Sequence, residues 1–169
     1  MGEFDPIFRW IEHGALSTFL RESAVAFPLI VVLHTLGMGF LAGGSAVIDL
    51  RLLGVARQVP IASLRRVLPV LWGALAVNVA SGLLLLTAYP TKALTNPVFC
   101  VKMTLLAAAV WSLAAIRNKA LPPAASDTAS PFARRLAALS LVLWLAAITA
   151  GRLLAYTHTR LLVDLKAHF

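Results

Sequence analysis

Four long apolar runs constrain this chain more than any other feature, at about 24–48, 67–88, 97–116 and 132–156. A helix rises about 1.5 Å per residue, so each run reaches across the roughly 30 Å of a bilayer's hydrocarbon core. Lipid offers backbone groups no hydrogen bonds, and segments that cross it as separate runs must therefore be helices. The composition agrees: 60% of residues are hydrophobic and 13% charged, and mean hydropathy is +0.85. With 169 residues, the four spans leave no room for a second unit. The expected fold is all-α, a transmembrane four-helix bundle forming one membrane domain over 1–169.

The formal charge of +8 would suit a nucleic-acid binder if it covered a soluble surface, but here Lys and Arg lie in the connections between apolar runs. That placement reads as topology. One side collects Arg51, Arg57, Arg65, Arg66, Arg117, Lys119, Arg134 and Arg135. The other holds Arg9, Arg21, Lys92, Arg160 and Lys166, offset by Glu3, Asp5, Glu12, Glu22 and Asp164. Short cytoplasmic loops carry the excess of Lys and Arg, so the first side is expected in the cytoplasm of a bacterial inner membrane and both termini in the periplasm. The start of the chain lacks the basic region and short apolar core of a cleavable signal, so uncleaved insertion is expected.

Asp5-Pro6 is a helix start, with Asp able to cap free N–H groups and Pro suited to the first turn. Phe8, Ile11, Ala15 and Phe19 then recur at helical spacing in a segment too polar to span, which predicts an amphipathic helix over 5–20 lying in the membrane interface, with Trp10 at headgroup depth. In the first span, Gly39 and Gly43 form a GxxxG spacing that predicts close helix packing. In the second, Asn78, Ser81 and Gly82 share a face. Leu121 to Asp127 has the Pro/Ala/Ser composition of a flexible connector. The lone Cys100 belongs to no haem-attachment or metal motif.

Lys or Arg at mid-membrane costs about 2.5–3.5 kcal/mol on insertion scales, so ionisable residues within the spans need a partner or a purpose. His34 lies near the midplane, while Lys102 and Arg152 fall in the half nearer the termini. Three roles stay open for His34: axial ligand to haem, proton-carrying group beside a quinone, or hydrogen-bonding strut to Asn78 or Ser81. A b-type haem ordinarily takes two axial ligands. No second histidine lies at that depth, leaving Met103 opposite His34, a five-coordinate iron, or a ligand from another subunit. His13 and His158, both near the surface, form a separate and weaker possible metal site. Lys102 and Arg152 suit anionic groups such as haem propionates or lipid phosphate, or else snorkel to the headgroups. Thr149, Arg152 and Tyr156 make a polar stripe expected to face protein. Asp49 is expected to be clamped by Arg65, Arg66, Arg134 or Arg135, and Trp72, Trp111 and Trp144 to pack or to lie at the interface.

The residues His34-Thr35-Leu36-Gly37, the glycines to Gly44, Asp49-Leu50-Arg51-Leu52-Leu53-Gly54 and Asn96-Pro97-Val98-Phe99-Cys100-Val101-Lys102 together resemble an uncharacterised bacterial four-helix integral membrane family, over nearly the whole chain. That family is similar in layout to cytochrome b561-like and copper-resistance D-like membrane proteins. The resemblance implies a histidine-bearing bundle, although those relatives use several intramembrane histidines and this chain has one. Two functions follow as expectations. One is an electron-transfer subunit binding haem b or quinone near His34; the other is an accessory subunit, without a cofactor, of a larger respiratory, photosynthetic or transport complex. Either way lipid and other membrane subunits are the expected partners. Nucleophile triads, phosphate-binding glycine loops and zinc motifs are absent, so no catalytic residue is assigned and a self-sufficient enzyme is not expected.

The topology is testable with reporters fused at Ala120 and at Phe169. A cytoplasmic reporter should be active only at Ala120 and a periplasmic one only at Phe169; the reverse pattern contradicts the charge argument.

Overall fold

A computed structural model describes residues 5–121 and 128–167, without the side chains of Asp5, Arg9, Lys92, Ala155 and residues 157–167. The described residues are helical with no strands. Two short helices, α1 (Asp5–Glu12) and α2 (Ala15–Glu22), precede α3 (Ala26–Leu53). A 3-10 segment, Ile61–Arg66, leads into α4 (Leu68–Ala88). The short α5 (Pro90–Leu94) then turns the chain into α6 (Pro97–Lys119), and α7 (Pro131–Ala167) follows. The connector at Leu121–Asp127 falls, beyond Leu121, outside the described residues.

Among the described residues, four helices are long and apolar enough to cross a membrane: Ala26–Leu53, Ile61–Ala88, Pro97–Lys119 and Pro131–Leu154. Only 17–33% of the most apolar stretch of each is buried within the chain. Large side chains such as Phe40 (62% exposed), Leu83, Trp111 and Leu145 point outward, which water would not tolerate on this scale. The protein is a multi-pass membrane protein, and lipid covers these faces.

The N-terminal segment differs from the single helix expected over 5–20. Gly14 is extended (φ −65°, ψ 151°) and splits it in two. The pair folds onto the end of α4: Ser17 Oγ donates to the Ala88 carbonyl (3.3 Å), Thr91 Oγ1 donates to Glu12 Oε2 (2.8 Å), and Arg21 donates to the Glu12 carbonyl (2.6 Å) while pairing with its carboxylate (3.7 Å). Trp10, Leu16 and Phe19 stay exposed on the far side.

Helix contacts run chiefly between α3 and α4, between α6 and α7, and between α3 and α7, whereas α4 and α6 scarcely touch. The main core, including Leu41, Ile48, Leu52, Leu71, Leu113, Ile116 and Trp144, fills only the half of the bundle nearer the basic loops. A small second cluster, Leu20, Ile30 and Ala88, closes the opposite end. At the basic end, Arg51 is buried and donates to the carbonyls of Val59 and Arg57, pinning the loop after Gly54, which caps α3 in the left-handed region (φ 102°).

The glycines that bring α3 against α4 are not the expected pair. Around Gly39 and Gly43 an added Cβ would meet nothing within 4 Å. At Gly37 it would lie 3.1 Å from both the Ala74 carbonyl oxygen and the Asn78 nitrogen, and at Gly44 it would collide with Leu71. Gly37→Ala should therefore lower stability by about 1–3 kcal/mol through overpacking, and Gly39→Ala should be near neutral, read as unfolding midpoints in detergent. Equal effects would contradict this packing.

Candidate functional site

The close approach at Gly37 positions the chemistry one turn back. His34 Nδ1 lies 3.1 Å from the Asn78 carbonyl oxygen and 3.1 Å from Ser81 Oγ. Asn78 returns the contact, its Nδ2 donating to the His34 carbonyl at 2.9 Å. A backbone carbonyl can only accept, and the Ser81 hydroxyl already donates to the Val77 carbonyl (2.6 Å). The ring proton therefore belongs on Nδ1, and Nε2 keeps its lone pair. Among the described residues Nε2 has no hydrogen-bond partner. Gly82 makes room for the ring, since a Cβ there would lie 3.1 Å from Cε1.

The imidazole borders a cavity of about 330 Å³ in the half of the bundle away from the main core, in the gap between α4 and α6. That volume is at the lower end of small-molecule sites. The walls are mainly apolar, including Leu83, Leu86, Phe99 and Leu106, with Leu154 from α7. Polar character comes from His34, Asn78, Tyr89, Asn96 and Lys102. Asn96 is set by its own role as the cap of α6, its side chain accepting from the Val98 N–H at 2.9 Å. Tyr89 ends α4 and stacks edge-on against Phe27 with ring centroids 5.8 Å apart.

Lys102 turns inward. Its aliphatic stem packs over Gly151, where a Cβ would lie 3.6 Å from Cε, and the side chain forms part of the cavity wall. No carboxylate pairs with it among the described residues. The cavity thus brings an imidazole and an amine together among mainly apolar walls.

Of the residues singled out from the sequence, His34, Asn78, Lys102 and Met103 line one cavity, and Ser81 supports the imidazole from behind. Arg152 does not join them: it is exposed, as are Thr149 and Tyr156, so the polar stripe of α7 faces away from the rest of the chain rather than into it. Thr149 satisfies its hydroxyl on its own helix, through the Leu145 carbonyl. His13 is exposed, and the side chain of His158 and all of His168 lie outside the described residues, so the surface metal site is not described. Among the described residues no cluster of three or more His, Cys, Asp or Glu side chains can hold a metal ion. The sequence reading missed Tyr89, Asn96 and Phe99. Their signal was the Tyr89-Pro90 and Asn96-Pro97 pairs, which bound the turn over the cavity.

Comparison with protein-family models, with curated proteins and with solved structures finds no match. The site must be read from its own geometry.

Asn78→Ala removes the donor to the His34 carbonyl and leaves that oxygen without its side-chain partner. It should cost about 1–3 kcal/mol in detergent unfolding, with Ser81→Ala smaller, because Ser81→Ala leaves the Asn78 side chain bonded to the His34 carbonyl and the ring nitrogen still on the residue 78 carbonyl. A neutral Asn78→Ala would contradict the reciprocal pairing.

Proposed function

We propose that this protein is a small electron-transfer subunit of the bacterial inner membrane, in which His34 Nε2 would bind the iron of a b-type haem held in the α4–α6 cavity. The observation that carries this reading is the orientation of His34. Metal-ligating histidines characteristically donate their other ring nitrogen to a carbonyl or carboxylate, which sets the tautomer and the ring plane. His34 has that arrangement in the Asn78 carbonyl, with Nε2 unengaged. Lys102 would hold a propionate by a charge-assisted hydrogen bond, and the apolar walls would take part of the ring, the remainder lying in the open side of the gap between α4 and α6, since the cavity of about 330 Å³ is smaller than a whole macrocycle. Met103, which also lines the cavity, is the soft donor available as a second ligand. The haem would supply one-electron chemistry; the chain supplies orientation, exclusion of water and fixed positive charge.

The charge asymmetry of the loops supports a cytoplasmic basic end and periplasmic termini, which puts the cavity in the periplasmic half. The large outward-facing apolar surface supports work beside other membrane subunits rather than alone.

The test is the absorption spectrum of detergent-purified protein, oxidised and then reduced. A Soret band with reduced α and β bands is expected, lost in His34→Ala. Lys102→Ala should weaken haem affinity about 10-fold, the worth of one charge-assisted hydrogen bond. A colourless protein whose solvent extract contains stoichiometric quinone, with binding lost in His34→Ala, would replace haem by a quinone. A colourless protein without quinone that co-purifies with a larger complex would overturn the redox reading in favour of an accessory subunit.

A further inference from the structure

A second polar site lies in the packed half of the bundle, away from the cavity. Serine and threonine within helices commonly return their hydroxyl to a carbonyl one turn back. In the long helices Thr35, Ser81, Thr87, Thr104, Ser112 and Thr149 do so, at 2.6–3.0 Å. Ser45 on α3 and Ser140 on α7 do not. Both are buried (1% and 0% exposed), and neither Oγ has a hydrogen-bond partner.

These two serines flank a buried acid. Asp49 is 1% exposed, both its carboxylate oxygens lack hydrogen-bond partners, and the side chain that meets it from α7 is Ser140. Ser45 is one turn before Asp49 on the same face of α3. The basic clamp expected from sequence does not form: Arg65 donates to the Leu121 carbonyl, and Arg66, Arg134 and Arg135 are exposed. Trp144, one turn beyond Ser140, has a buried N–H with no hydrogen-bond partner among the described residues, and an N–H cannot ligate a cation.

A carboxylate enclosed this way is unfavourable until its charge is offset, and no basic side chain bonds to it. The carboxylate's own two oxygens and the hydroxyls of Ser45 and Ser140 make four unengaged oxygens from two helices, a hard-ligand set. We propose that α3 and α7 bind a sodium ion between them, held by the Asp49 carboxylate with the hydroxyls of Ser45 and Ser140. One monovalent ion neutralises one carboxylate, whereas a divalent ion would leave a net charge in the core. Calcium also prefers 6–8 oxygen ligands, more than these side chains offer. The ion would fasten α3 to α7 at the basic end. The proposal is independent of the cofactor assigned to the cavity.

Thermal unfolding of the full chain in detergent, at equal ionic strength in sodium, potassium or choline chloride, tests it. Sodium should raise the unfolding midpoint along a saturable curve, as any ligand of the native state does, and choline should not. Asp49→Asn, similar in shape and neutral, should fold and lose the sodium-specific shift, and Ser45→Ala with Ser140→Ala should move the curve at least 10-fold to higher sodium. Equilibrium binding of radioactive sodium provides the second readout, saturating in the wild type and absent in Asp49→Asn. Identical midpoints in sodium and choline, or a sodium shift that persists in Asp49→Asn, would overturn the proposal. So would a wild type that binds no sodium while an infrared band of a protonated carboxylic acid disappears in Asp49→Asn, since a proton would then neutralise the site.

Discussion

The reciprocal pairing of His34 with Asn78 is the interaction on which the rest of the structure depends. Lipid supplies little hydrophobic drive between helices, so association inside it rests on close packing and on interhelical hydrogen bonds. Both occur at one point of the α3–α4 contact. Gly37 lets the backbones approach, and Asn78 and His34 then exchange hydrogen bonds across that approach. A polar side chain that is costly in hydrocarbon becomes the fastening of the helix pair, and in fastening it the imidazole beside the cavity is left with one nitrogen unengaged.

The bundle is asymmetric along its length. Toward the basic loops, Leu41, Ile48, Leu71, Leu113, Ile116 and Trp144 pack into a continuous core; in the other half α4 and α6 separate around the cavity. The N-terminal helices stitch the end of α4 to α5 through Ser17, Glu12 and Thr91. One half provides the mechanical support and the other the chemistry. Asp49 is the exception, a buried acid inside the supporting half, which gives that half a binding role of its own under the proposal above.

The spans could be read from the sequence because membrane thickness imposes a length and lipid imposes a composition, leaving helices as the remaining solution. His34, Asn78 and Ser81 could be associated because so few polar residues lie within the spans. Rotation about each helix axis could not be read. A span that is apolar all round has no amphipathic stripe to indicate its inward face. Hence Gly39 and Gly43 proved to face outward while Gly37 and Gly44 pack, and Arg152 turned away from the cavity that Lys102 entered. The break at Gly14 was equally hidden, since the residues on both sides keep helical spacing. For Asp49, abundant nearby arginines suggested an ion pair, yet Arg51 and Arg65 are drawn to loop carbonyls.

The central claim is that His34 carries its proton on Nδ1, against the Asn78 carbonyl, and offers Nε2 to the cavity. Solid-state nitrogen NMR of protein labelled at histidine, with His34 assigned by its loss in His34→Gln, measures this directly in cofactor-free protein in lipid. The account predicts a protonated Nδ1 coupled to the second span and an unprotonated Nε2. A proton on Nε2, or an Nδ1 without a bonded proton, would contradict it.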